Sequence, residues 1–147
     1  ITSPNLDPGS DNIRNIIMKK KKLKNVNYIK SFGQEYYFSV LKLVDGIIGN
    51  SSSGLIEVPF MKKFTINIGS RQNGRYLEDT VINCNNDIEN IVKSIKFAYS
   101  KKFQKVLQNF KSLDNLNASK KILKKITNFD SKNYSYKMFN DIDFINK

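Results

Sequence analysis

The chain has 147 residues, 39% of them apolar, enough for one domain with a core of its own. Its 25 basic and 13 acidic side chains give a formal charge of +12, but the excess is lysine beside abundant asparagine, with arginine confined to Arg14, Arg71 and Arg75, and aromatics do not interleave the basic runs, so the charge does not read as a nucleic-acid surface. Histidine is absent and Cys84 is the single cysteine, which excludes a structural zinc site, an internal disulfide and a histidine-activated thiol; with no run of about 18 apolar residues and no leader-like N-terminus, the chain reads as cytoplasmic, without a membrane partner.

The first residues, ITSPNLDPGSDNI, lack an initiator methionine, open on what reads as the end of a strand and enter a turn at Pro4, Pro8 and Gly9. They are expected to belong to something longer. Ser10 or Asp11 then caps a predicted helix with Ile13, Ile16 and Ile17 on its apolar face, and Lys19 to Lys22 lie near its negative C-terminal pole. VNYIKSF reads as a strand, and QEYYFSVLKLV as a helix with Tyr37, Leu41 and Val44 on one stripe. GIIGN is a short buried strand, SSGLIEVPFM a helix stopped by Pro59, and FTINIG a strand. TVINC is the next strand, in which Cys84 is expected to be an inert core thiol. Asp87 caps a helix with Ile88, Ile91, Val92 and Ile95 facing inward, a further helix follows at KKFQKVLQNF, and NASKKILKKITNF gives an amphipathic helix with Ile122, Leu123 and Ile126 on its apolar side. Strands alternating with helices at this spacing predict an α/β fold, a Rossmann-like parallel sheet with helices on both faces.

In such a sheet ligands sit where strands hand over to helices at their C-terminal ends. GIIG delivers the chain to Asn50, and Ser51 to Gly54 open the next helix, with unpaired N–H groups, hydroxyl donors and small side chains that admit an anion. No Gly-Lys-Ser/Thr follows, so this is not a Walker A loop. On local chemistry the segment reads either as a phosphate cradle or as a good helix cap. Glu57, in the apolar run GLIEVPF, reads either as an acceptor for ribose hydroxyls or as a surface glutamate. Arg71 and Arg75, on the loop after the next strand, are placed to reach the same diphosphate, surface arginine being the alternative.

The stretch IIGNSSSGLIEVPFMKKFTINIGSRQNGR resembles the hydrolysing UDP-N-acetylglucosamine 2-epimerases of sialic and related nonulosonic acid synthesis, through Gly-Asn-Ser-Ser-x-Gly, then Glu, Pro, and Ile-Asn-Ile-Gly-x-Arg-Gln-x-Gly-Arg in order. SPNLDPGS and NASKKI resemble two further segments of that family, so the similarity runs from Pro4 to about Ile126; SLDNLNAS departs from it by lacking a Gly-Asp-Gly turn. The resemblance implies the C-terminal domain of a two-domain GT-B fold. Residues 1–129 would be its UDP-binding domain, and the aromatic-rich tail, residues 130–147, would pack on a missing N-terminal domain. It also implies that Ser51, Ser52 and Gly54 hold the UDP diphosphate, Glu57 the ribose, Arg71 a phosphate, Asn5 the nucleotide from the first loop, and the Phe32 backbone the uracil edge. The acid and base groups acting on the sugar would lie outside this chain, which alone would be inactive. No cofactor is implied; the partners are UDP or UDP-N-acetylglucosamine, the missing domain, and further copies in a homo-oligomer. A GT-B glycosyltransferase half and a non-catalytic nucleotide-sugar-binding domain are the alternatives.

Overall fold

The computed structural model describes residues 1–111 and 117–129. The turn at Asp114 to Leu116 and the tail from residue 130 lie outside the described residues. Two compact units are present, Ile1–Ser112 and Leu113–Lys147.

In the first unit three of the predicted strands form: β1 (Gly46–Gly49), β2 (Phe64–Ile68) and β3 (Val81–Cys84). They make one sheet in the order β1-β2-β3, with both pairings parallel. Period-2 alternation sends Phe64, Ile66 and Ile68 to one face of β2 and Thr65 and Asn67 to the other. On the first face Phe64 and Ile66 are buried with Ala98, Phe103 and Leu107, and Ile68, Ile82, Cys84 and Ile95 pack half-buried against them. Cys84 thus joins the core margin as expected. Truncating Ile66 to alanine would cost about 2–5 kcal/mol, because a residue with no exposed surface leaves a cavity.

That core is supplied by α4 (Ile88–Ala98) and α5 (Lys101–Asn109). Asp87 caps α4 as expected, its Oδ1 accepting from the Asn90 N–H at 2.8 Å, and Ser100, not singled out from the sequence, caps α5, its Oγ accepting from the Phe103 N–H at 3.2 Å. The inward face of α4 differs from expectation. Ser94 and Ala98 are its buried residues, while Ile88 is 82% exposed and Val92 also faces outward. Small residues at one stripe let a helix approach a sheet closely, and this outweighs raw hydrophobicity in setting the rotation.

The second face is met by α3 (Ser53–Ile56), whose Gly54 carbonyl accepts from Thr65 Oγ1 at 2.6 Å. This helix is one turn long rather than running to Pro59. The N–H groups of Glu57 and Val58 both close on the Ser53 carbonyl, at 2.9 and 3.2 Å, and Pro59, which lacks an N–H, opens a separate 3-10 turn, Pro59–Met61.

Before the sheet lie α1 (Ser10–Lys20) and α2 (Gly33–Leu43). Gly9, left-handed at φ 85°, is the N-cap of α1, so Ser10 and Asp11 sit inside the helix and neither caps it. The apolar face expected of α1 is not covered: Ile13 and Ile16 are exposed, and the helix buries no residue. The stripe on α2 holds, with Leu41 buried and Tyr37 and Val44 half-buried. VNYIKSF does not become a strand. Only Ile29 bridges, in parallel, to Thr2, with the Ile29 N–H donating to the Ile1 carbonyl at 3.0 Å. The second unit contributes α6 (Ala118–Thr127), with Ile122, Leu123 and Ile126 exposed along it.

Candidate functional site

Parallel strands end on the same edge of a sheet, so the loops after β1 and β2 emerge side by side. Gln72, in the second loop and 5% exposed, donates from Nε2 to the Asn50 carbonyl in the first at 2.7 Å. Gly69, left-handed at φ 76°, turns the chain directly after β2, and its N–H donates to the Cys84 carbonyl at 2.9 Å, fastening the same loop to the end of β3. One row beneath, the buried Asn67 of β2 donates from Nδ2 to Asn83 Oδ1 of β3 at 2.8 Å. The C-terminal edge of the sheet is therefore polar, its loops tied together by side-chain and backbone bonds.

A third segment reaches this edge. Arg71 Nη1 donates to Asp7 Oδ2 at 3.0 Å, joining the loop after β2 to the turn that precedes α1. The contact uses one guanidinium nitrogen, and among the described residues the remaining donors of the fork have no partner. A fourth comes from α2: the Tyr37 hydroxyl is hydrogen-bonded to Ser53 Oγ, beside the serine loop. Burial holds the Tyr37 phenol above its usual pKa, opposed by the Ser53 bond and reinforced by the nearby Glu57 carboxylate, so it is protonated at neutral pH, and either hydroxyl can be the donor in the pair.

Within the serine loop, the Ser53 N–H donates to Ser51 Oγ at 3.4 Å, and the Gly54, Leu55 and Ile56 N–H groups close on carbonyls of Ser51 and Ser52. The N–H groups of Ser51 and Ser52 themselves have no partner among the described residues. Ser51 is exposed and Ser52 half-buried. Gly54 is buried, and a Cβ placed on it would lie 2.7 Å from Thr65 Cγ2. The close approach that needs this glycine is to β2, beneath the loop.

Glu57 is half-buried at the C-terminal cap of α3 rather than mid-helix. Asn5 is exposed in the same turn as Asp7, and Phe32 is the half-buried N-cap of α2; no hydrogen bond ties either to the others among the described residues. Arg75 is exposed and makes no ion pair among the described residues. Asp7, Tyr37 and Gln72 were not singled out from the sequence. Gln72 sits inside SRQNGR beside Arg71, but its role as a tether depends on the strand order. Tyr37 read as a packing residue, and its hydroxyl was the only signal available.

The arrangement offers unpaired N–H groups, serine hydroxyls and a guanidinium around one edge, which suits an oxyanion, with a carboxylate a short distance along the chain for hydroxyl donors. Among the described residues no cluster of acids, cysteine or histidine could hold a metal ion, and no helix is long and apolar enough to cross a membrane.

A family model described as UDP-N-acetylglucosamine 2-epimerase matches residues 2–127. Polysialic acid biosynthesis protein P7 of Escherichia coli is 41% identical over 143 residues, covering 94% of this chain and 36% of the relative. GDP/UDP-N,N'-diacetylbacillosamine 2-epimerase (hydrolyzing) of Campylobacter jejuni is 37% identical over 93 residues, covering 61% of this chain and 24% of the relative. UDP-N-acetylglucosamine 2-epimerase of Neisseria meningitidis is 31% identical over 97 residues, covering 66% and 26%. The matches therefore span about a third or less of these relatives' lengths.

Proposed function

Because the chain belongs to the UDP-N-acetylglucosamine 2-epimerase family, we propose that it is the nucleotide-binding part of a hydrolysing member, the C-terminal domain of a GT-B enzyme that converts UDP-N-acetylglucosamine and water to N-acetylmannosamine and UDP. The observation that carries this reading is the convergence of the Asp7 turn, the serine loop and the Arg71 loop through the Asp7–Arg71 and Asn50–Gln72 bonds. Three segments remote in sequence meet at the edge where such sheets bind ligands.

In this reading the Ser51 and Ser52 N–H groups and hydroxyls receive the diphosphate, Arg71 adds a charge-assisted contact, Glu57 accepts from the ribose, and Asn5 and the Phe32 backbone border the base. Gly54 contributes indirectly, by letting the loop settle onto β2. Breaking the anomeric C–O bond by elimination across the sugar puts negative charge on the departing UDP. Donors already fixed in place stabilise that charge without reorganising. The helix-dipole contribution is small, since α3 has only four residues, so the discrete donors and Arg71 carry the stabilisation. The groups that move protons on the sugar belong to the rest of the enzyme, and closure of the two domains would exclude water from the cleft.

The relatives named 2-epimerases differ in the sugar their names carry, and each name includes UDP, one of them beside GDP, which supports a nucleoside diphosphate, UDP first, as the part recognised here. Calorimetric titration with UDP, uridine and pyrophosphate tests the reading: all three should bind, UDP most tightly. Binding of none of them would remove it.

A further inference from the structure

We propose that Tyr37 is a positioning residue, whose hydroxyl orients the Ser53 hydroxyl so that its proton faces an oxyanion held at the loop after β1. The inference rests on the nucleotide-binding reading above and extends it to a pair of residues that the family resemblance did not assign.

Tyr37 comes from α2 and Ser53 from the first turn of α3, and their side-chain oxygens are hydrogen-bonded to each other. Two hydroxyls facing each other can share a proton in either sense, and the surroundings decide which. A phenol is the more acidic of the two and therefore the better donor. Half-burial, opposed by the Ser53 bond and reinforced by the neighbouring Glu57 carboxylate, keeps the Tyr37 proton in place. In this assignment Tyr37 is the donor of the pair, the stronger acid giving its proton, and Ser53 Oγ is the acceptor. Having accepted on the protein side, the Ser53 hydroxyl must direct its own proton elsewhere, and it is half-exposed beside the Ser51 and Ser52 N–H groups, which have no partner among the described residues.

Ser51 obeys the same logic by a different partner, because its Oγ accepts from the Ser53 N–H. Two of the three consecutive serines therefore have their acceptor side engaged within the protein. Each is left with a donor for a ligand. An oxyanion gains from this, since an unfixed hydroxyl must lose rotational freedom and break a water bond before it can donate. The alternative role for the Tyr37–Ser53 bond is a clasp between α2 and α3, which would affect stability and all ligands alike.

The test is a double-mutant cycle in the full-length protein, with UDP and uridine as probes and thermal unfolding alongside. Tyr37→Phe keeps the ring and its edge contact with Phe38. It should weaken UDP by about 3- to 10-fold, the worth of one hydrogen bond, while uridine changes less than about twofold. Ser53→Ala should do the same, and adding Tyr37→Phe to Ser53→Ala should cost UDP nothing further. Equal losses for uridine and UDP, additive losses in the double variant, or an unchanged UDP affinity in Tyr37→Phe would each overturn the assignment. If Tyr37→Phe proves too unstable to titrate, Ser53→Ala against Ser53→Thr decides: the threonine, which retains the hydroxyl, should preserve UDP binding and the alanine should not, and equal binding by both would overturn it. A wild-type protein that binds no UDP would instead remove the underlying nucleotide reading, and this inference with it.

Discussion

Gln72 Nε2 donates to the Asn50 carbonyl at 2.7 Å, so that the loop carrying Arg71 and the loop carrying the serines are held as one piece. The bond is buried at one end, and its loss leaves a carbonyl without its partner. Gln72→Met, which keeps the length and removes the amide, should lower stability by about 1–3 kcal/mol and weaken UDP binding with it. Chemical denaturation and calorimetry on the same variant check both. A destabilised variant with wild-type UDP affinity would show that the two loops act independently.

Gly54 and Thr65 make a second, reciprocal test. Gly54→Ala places a Cβ 2.7 Å from Thr65 Cγ2, so the one-turn helix must lift from the sheet, at a cost of about 1–3 kcal/mol. Thr65→Ser removes that methyl group while keeping the Oγ1 bond to the Gly54 carbonyl. The double variant Gly54→Ala/Thr65→Ser should recover most of the loss in thermal unfolding. Additive losses would mean that the glycine is required for another reason, such as access of an anion from above.

Glu57 and Arg71 are expected to separate by ligand. Glu57→Gln should weaken UDP and leave pyrophosphate nearly unchanged, whereas Arg71→Ala should weaken both, each by about 1.5–3 kcal/mol for a charge-assisted contact. Equal losses for both ligands in both variants would contradict the division of labour between ribose and phosphate.

Asp87 supplies a pH signature of the fold. The Asn90 backbone N–H, and then the Asn90 side chain, hold its carboxyl below the usual pKa. A depressed folded pKa means that the stabilisation is fully present above the unfolded value of about 3.9 and is lost as pH falls through the lower folded value. Acid unfolding followed by circular dichroism should therefore show the advantage of wild type over Asp87→Ala narrowing below about pH 4. A constant gap across that range would show that the carboxylate charge is not what the cap uses.

The strands were legible because β2, FTINI, is apolar or β-branched at nearly every position, as a strand covered on both faces must be. The cap at Asp87 was legible from local chemistry alone, and the one at Ser100 is of the same kind. What could not be read was decided by contacts between distant segments. Ser94 and Ala98 turn α4 because they are small, a property that periodicity of apolar residues does not weigh. VNYIKSF has strand-like composition but little beside it to pair with. At the site, the order Asn50, serines, Glu57, Arg71 was visible, whereas the Asp7, Tyr37 and Gln72 bonds that draw these residues together depend on which loops the parallel register makes neighbours.

The most direct measurement is calorimetric titration of UDP into the 147-residue chain at low and at high ionic strength. Weak binding that weakens further as salt screens the charged contacts is predicted, with no UDP released from UDP-N-acetylglucosamine by the chain alone in a coupled assay. Absence of any binding heat with UDP at about 1 mM, where a site with a free energy near −4 kcal/mol would be half filled, would contradict the assignment of this edge as a nucleotide site.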